Sequence, residues 1–284
     1  MKVLQILNNI DRRIIYLLLS VVVMVPLILE SKIDIVADPY SETAFNEIES
    51  EFAGELNKKM LISFDYGPST STEVNPMAIA IMKHVLITGN EVHTMALFDT
   101  GLAVSEQVVE KVLKDPQIQE LSFEVEENIK QLGYVAGGEA AIKNMLKNIE
   151  SVFPSAPSDI KSLCDYDFIV TLSSGTPGTM EWVSYAGDPS EKQCKDRGAI
   201  KLTTGVTAVQ APESIPFVGT GQLKGMLAGL SGASGYEALM EYADRGLASE
   251  KMPAQSWAHL LIIFLIVIGN ITYFMINKRD SEND

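Results

Sequence analysis

The chain has 284 residues, 46% of them apolar, and a formal charge of −15. That length supports one sizeable core with a small annex. The acidic balance leaves no basic stripe for phosphates and argues against a nucleic-acid partner; a solvated acidic surface is the simplest account of the charge.

In chain order, residues 1–13, with Lys2, Arg12 and Arg13, read as a cytoplasmic N-terminus ahead of the uncharged run IIYLLLSVVVMVPLIL from Ile14 to Leu29. Pro26 is compatible with a membrane helix, because tilt, water or a neighbouring helix re-satisfies the freed backbone. A cleaved signal peptide competes with this reading. The nearest cleavage-like site, Ile35-Val36-Ala37, is poor, so an uncleaved transmembrane helix over 14–29 is expected. Residues 30–58 then form a linker and an amphipathic helix: with Ser41 as N-cap, Phe45, Ile48, Phe52 and Leu56 share one face.

Residues 59–245 alternate short apolar runs with helical patterns. MLISFDYG, EVHTMALF, IKQLGYV, DFIVTLSS and AIKLTTGV read as strands. The helices between them include one over 75–89 with Asn75 as cap and Pro76 in its first turn. Such alternation predicts right-handed crossovers and a Rossmann-like α/β fold, a parallel sheet of about five strands with helices on both faces. A linker over 246–256 leads to WAHLLIIFLIVIGNITYFMIN (257–277), which meets the roughly 20 residues a membrane helix needs. The tail 278–284 carries Lys278 and Arg279. Basic residues outside both spans put both termini in the cytoplasm and the α/β domain outside it, at the plasma membrane.

In parallel sheets, ligands bind beyond the carboxyl ends of the strands. The loops there hold Ser69, Thr70, Ser71 and Thr72; Gly137 and Gly138; Ser173, Ser174 and Thr176; and Thr203. They read either as helix caps and tight turns or as a small-ligand or anion site built from hydroxyls and backbone N–H groups. Asp99-Thr100-Gly101 has the form of an aspartic-protease half-site. That chemistry needs two carboxylates on related β lobes, whereas Asp99 runs into the helical LAVSEQVVEKVLK and has no twin. Asp99 is therefore expected to end the second strand, with itself or Thr100 helping to cap the next helix. Asp65 and Asp99, at the ends of two strands, stay as weak candidates for cation binding or proton exchange. No G-x-S-x-G elbow occurs, GLSGA being the nearest, and after Gly219-x-Gly221 the next glycine comes too late for a dinucleotide fingerprint. No cofactor is expected.

Gly221, Gly225, Gly229 and Ala233 recur every four residues, the spacing of a small-residue helix face that packs either on this domain or on another subunit. Cys164 and Cys194 are either a disulfide in an oxidising compartment or two separate thiols. With His84 and His93 at no ligand spacing from them, no metal site is expected.

The stretches ISFDYGPSTSTEVNPMAIAIMKH and FVGTGQLKGMLAGLSGASGYEALM, with IDRRIIYLL near the start, resemble a family of prokaryotic two-span membrane proteins with no known activity. The resemblance covers most of the chain and implies the two spans but no site residues. The expected function is a non-enzymatic structural or accessory subunit of a membrane assembly, with itself or with other membrane subunits. A small-ligand-binding or carboxylate-dependent hydrolytic domain is the alternative.

Overall fold

The computed structural model describes residues 11–121, 124–194, 198–240 and 246–283. Most of the expected cytoplasmic N-terminus lies outside the described residues. The chain forms two compact units, Ile35–Ser249 and a smaller one comprising the chain up to Asp34 and from Glu250 on.

The smaller unit opens with α1 (Arg12–Ile28), 17 residues capped by Asp11. At 1.5 Å per residue it is about 25 Å long, slightly less than a bilayer's hydrocarbon core. Its less exposed residues are Ile15, Leu19, Val22, Val23 and Pro26, on one side of the helix.

The α/β unit starts with α2 (Pro39–Phe52). Its cap is Asp38 rather than Ser41: Asp38 Oδ1 accepts the Tyr40 and Ser41 N–H groups at 2.9 and 3.2 Å. An aspartate followed by proline at the first helical position sets the start three residues earlier than the apolar stripe suggests. Then follow β1 (Lys59–Asp65), α3 (Ser71–Ile87), β2 (Glu91–Ala96), α4 (Gly101–Leu113), the short α5 (Pro116–Gln119), β3 (Ile129–Tyr134) and α6 (Glu139–Lys147). The second half comprises β4 (Phe168–Ser173), α7 (Thr179–Ala186), β5 (Leu202–Val206), α8 (Ala211–Gly219), β6 (Met226–Ala228) and α9 (Gly229–Leu239).

All six strands are parallel, in the order β3-β2-β1-β4-β5-β6. This is the doubly wound arrangement, in which strand order reverses between β1 and β4. One face of the sheet, with Ile62, Phe64, Val92 and Val170, joins a core with Ile48 of α2, Met77 and Ile81 of α3, and Tyr236 of α9. The other, with Leu61, Met95, Ile169 and Leu202, packs against Ile142 and Met145 of α6 and Trp182 of α7. The central strands are covered on both sides, which is why MLISF and FIVTL are runs rather than alternations.

Three local expectations are corrected. Asn75 and Pro76 sit inside α3, which begins at Ser71; Asn75 Oδ1 instead accepts the Tyr66 hydroxyl at 2.8 Å. The sheet has a sixth strand, and it falls inside the glycine-rich segment. Gly221 follows α8, Gly225 precedes β6, and Gly229 and Ala233 belong to α9, so the four do not line one helix. Gly225 has φ +137°, and a Cβ there would lie 2.4 Å from the Ala44 N, so its smallness serves packing of β6 under α2. Third, no linker occupies 246–256 and no break follows 277: α10 (Leu247–Asn283) is a single helix of 37 residues. The buried Glu237 caps it, accepting the Ala248 and Ser249 N–H groups at 3.0 and 2.8 Å. Its segment Leu247–Ile276 is long and apolar enough to cross a membrane. From Ala258 through Met275 the less exposed positions are Ala258, Leu261, Leu265, Ile268 and Thr272, alternating three and four apart. That is the spacing of a seam against another helix.

Candidate functional site at the carboxyl ends of the strands

The reversal of strand order places the end of β1 beside the end of β4, with Asp65 paired to Ser173. Because side chains alternate along a strand, Ser63 and Asp65 of β1, Thr171 and Ser173 of β4 and Thr204 of β5 all point to the α7 side. Together they form a strip of buried polar side chains on that face of the sheet.

Asp65 is 1% exposed. Its Oδ1 accepts the Leu97 N–H (2.9 Å) and the Ser63 hydroxyl (2.7 Å). Its Oδ2 accepts the Trp182 indole N–H (2.9 Å) and the Thr171 hydroxyl (3.3 Å). Each oxygen thus meets one fixed N–H and one rotatable hydroxyl. Burial raises the carboxyl to about 6, against the pull of those four bonds. The residue type follows: an asparagine would aim an NH₂ at one of the two fixed donors, whereas a carboxyl group offers an acceptor to both. Asp65 ties together β1, the residue following β2, β4 and α7.

Beside it the hydroxyls engage one another. Thr179 Oγ1 lies 2.6 Å from Thr204 Oγ1 and 3.3 Å from Ser173 Oγ, and Thr204 donates to the Thr171 carbonyl at 3.1 Å. Two backbone N–H groups near these strand ends are taken by the chain's own carboxylates. Glu181 accepts the Gly178 N–H at 2.8 Å and Glu73 the Ala208 N–H at 2.7 Å. A cavity of about 20 Å³ lies here, lined by Ser173, Thr176, Thr179 and Gln210, enough for one water. A larger cavity of about 300 Å³ lies at the opposite pole, where Glu51 pairs with both Lys58 and Lys201. The Cys164–Cys194 disulfide lines it.

The expected site residues are only partly gathered. Gly138 meets Pro177, so the loops after β3 and β4 touch; Gly67 lies against Thr100, so those after β1 and β2 do too. Ser174 is half-buried and Thr176 exposed. Thr70 and Ser71 donate to the carbonyls of Gly67 and Pro68, closing a turn, and Ser69 and Thr72 are exposed. Asp99 is exposed, three residues beyond the last residue of β2, and accepts only the adjacent Thr100 N–H (2.7 Å), while Thr100 makes no side-chain cap. Among the described residues no cluster of three potential metal ligands forms. Thr203 pairs with Val170 and so faces the other core, where its hydroxyl has no partner among the described residues. Thr204 takes the place expected for it. Ser63, Thr171 and Trp182 lie outside the strand-end loops; an alternate-residue match to Asp65 along β1 is the one signal in the sequence, and it identifies Ser63 alone.

The fold and the polar strip define a doubly wound α/β domain in a chain with an apolar C-terminal helix. No family model, curated protein or solved structure matches it.

Proposed function

We propose that the chain is a two-span membrane protein, its termini cytoplasmic and its α/β unit outside, acting as a non-enzymatic structural or accessory subunit of an oligomeric membrane assembly. The observation that carries this reading is the crest at the β1/β4 reversal. Near the position where doubly wound proteins take ligands this chain places its own carboxylates, Asp65 serving as a clasp and Glu73 and Glu181 each accepting a backbone N–H. The disulfide supports an oxidising exterior, and the basic residues flanking both apolar helices support the orientation.

The test pairs sizing in mild detergent with thermal unfolding in the presence of NAD, ATP, inorganic phosphate or Mg²⁺. A complex larger than one chain with an unmoved midpoint is expected. A monomer whose midpoint rises with any of these ligands overturns the reading, since native-state binding stabilises by mass action. Protease added to right-side-out vesicles should degrade the α/β unit; protection there overturns the orientation.

A further inference from the structure

His259 and Asn270 of the apolar helix share one face. Asn270 stands two residues from both Ile268 and Thr272, and His259 two residues from Leu261; at 3.6 residues per turn, both lie opposite the less exposed seam. Ile263 and Ile266 complete their stripe, and both are exposed or nearly so, as are His259 and Asn270 themselves. The side chains of His259 and Asn270 make no hydrogen bond among the described residues. α1, in the same unit, has its own less exposed side of Ile15, Leu19, Val22 and Pro26.

Asn270 lies about 12 Å along the axis from Lys278, too deep for its short side chain to reach water. In hydrocarbon an unpaired carboxamide is strongly unfavourable, and polar side chains there mark helix contacts. We propose that the His259–Ile263–Ile266–Asn270 face of α10 packs against the same face of a second copy of this chain. Two features select a copy over another partner. A carboxamide is both donor and acceptor, so it complements itself. Copies inserted with the same orientation bring Asn270 to the same depth.

This rests on the reading of α10 as a membrane span in an assembly subunit, and the experiment separates the two. Single cysteines are placed in the full chain in native membranes at Ile263 and Ile266, and as controls at Leu265 and Ile268; the native cysteines are already paired. After oxidation with copper phenanthroline, Ile263→Cys and Ile266→Cys should give disulfide dimers several-fold more abundant than either control. Asn270→Leu should weaken the dimer in mild detergent roughly three- to thirtyfold, with Asn270→Gln retaining it. Equal or stronger cross-linking at the controls, or a dimer indifferent to Asn270→Leu, overturns the proposal while a carbonate-resistant protein leaves the span standing. Release of the chain by carbonate overturns both.

Discussion

Two residues of like polarity meet opposite fates in this chain. Asp65, at the centre of the sheet, is 1% exposed and receives four hydrogen bonds from three strands' neighbourhood and one helix. Asn270, on the apolar helix, is exposed and receives none among the described residues. A buried polar group is tolerated where its partners are built in, and calls for an external partner where they are not. Asp65 is thus satisfied within one chain, whereas under the proposal Asn270 takes its partner from another.

The largest effect expected is at the satisfied carboxyl. Asp65→Ala leaves the Leu97 and Trp182 N–H groups without acceptors and opens a cavity, a loss of about 3–5 kcal/mol in denaturant unfolding near pH 4. A loss below about 1 kcal/mol would show that the clasp is ornamental and that the contrast with Asn270 is false.

The same residue sets a pH dependence. Its folded carboxyl titrates at about 6 against 3.8 in the ordinary state, so the folded protein holds the proton more tightly. The stabilisation from that proton is complete below about pH 3.8 and is lost as pH rises through 6, about 3 kcal/mol in all. His84 and His93, depressed by burial, act in the other sense and destabilise as acid protonates the unfolded chain first. The profile of the wild type minus that of Asp65→Ala isolates the carboxyl: their stability gap should narrow toward neutral pH. A constant gap would mean that Asp65 stays ionised throughout.

Next in size, Gly225→Ala forces a Cβ against the Ala44 backbone at positive φ and should cost about 1–3 kcal/mol in the α/β unit while leaving the cross-linking pattern on α10 unchanged. A changed oligomer with unchanged stability would move the subunit contact back to the glycines. Smallest, Thr203→Val removes a buried hydroxyl that has no partner among the described residues, and should be neutral or stabilise by up to about 1 kcal/mol. A clear loss would reveal a partner for that oxygen and sharpen the rule that this unit leaves little unpaired.

The strands of the first half and β4 were legible because runs such as LISF and FIVTL carry their burial in their composition. β6 was not, since three residues between Gly225 and Gly229 look like part of a four-residue repeat, and only the docking of Ala44 on Gly225 gives that glycine its reason. Asp65 was visible as a strand-end carboxylate, but its role was hidden. That role depends on β4 lying next to β1, which sequence neighbours do not encode, and on Trp182 arriving from α7. Thr203 and Thr204 differ only by frame: one residue reverses the face, and periodicity alone does not fix the register. Starts of helices failed where a stronger cap stood upstream, as Asp38 does for Ser41.

The pairing of β1 with β4 also bears on how the chain is made. Lys59 N–H donates to Asp167 at 2.8 Å across a separation of 108 residues, so the middle of the sheet is incomplete until β4 has been synthesised. During that interval β1 has one naked edge, and the nascent Asp65 has neither Trp182 nor Thr171 to bind. Long-range closure of this kind is slow and leaves partly made sheets prone to sticking together. Biogenesis should therefore depend on a holding factor during elongation, and pausing translation just before residue 168 should leave a protease-sensitive nascent chain.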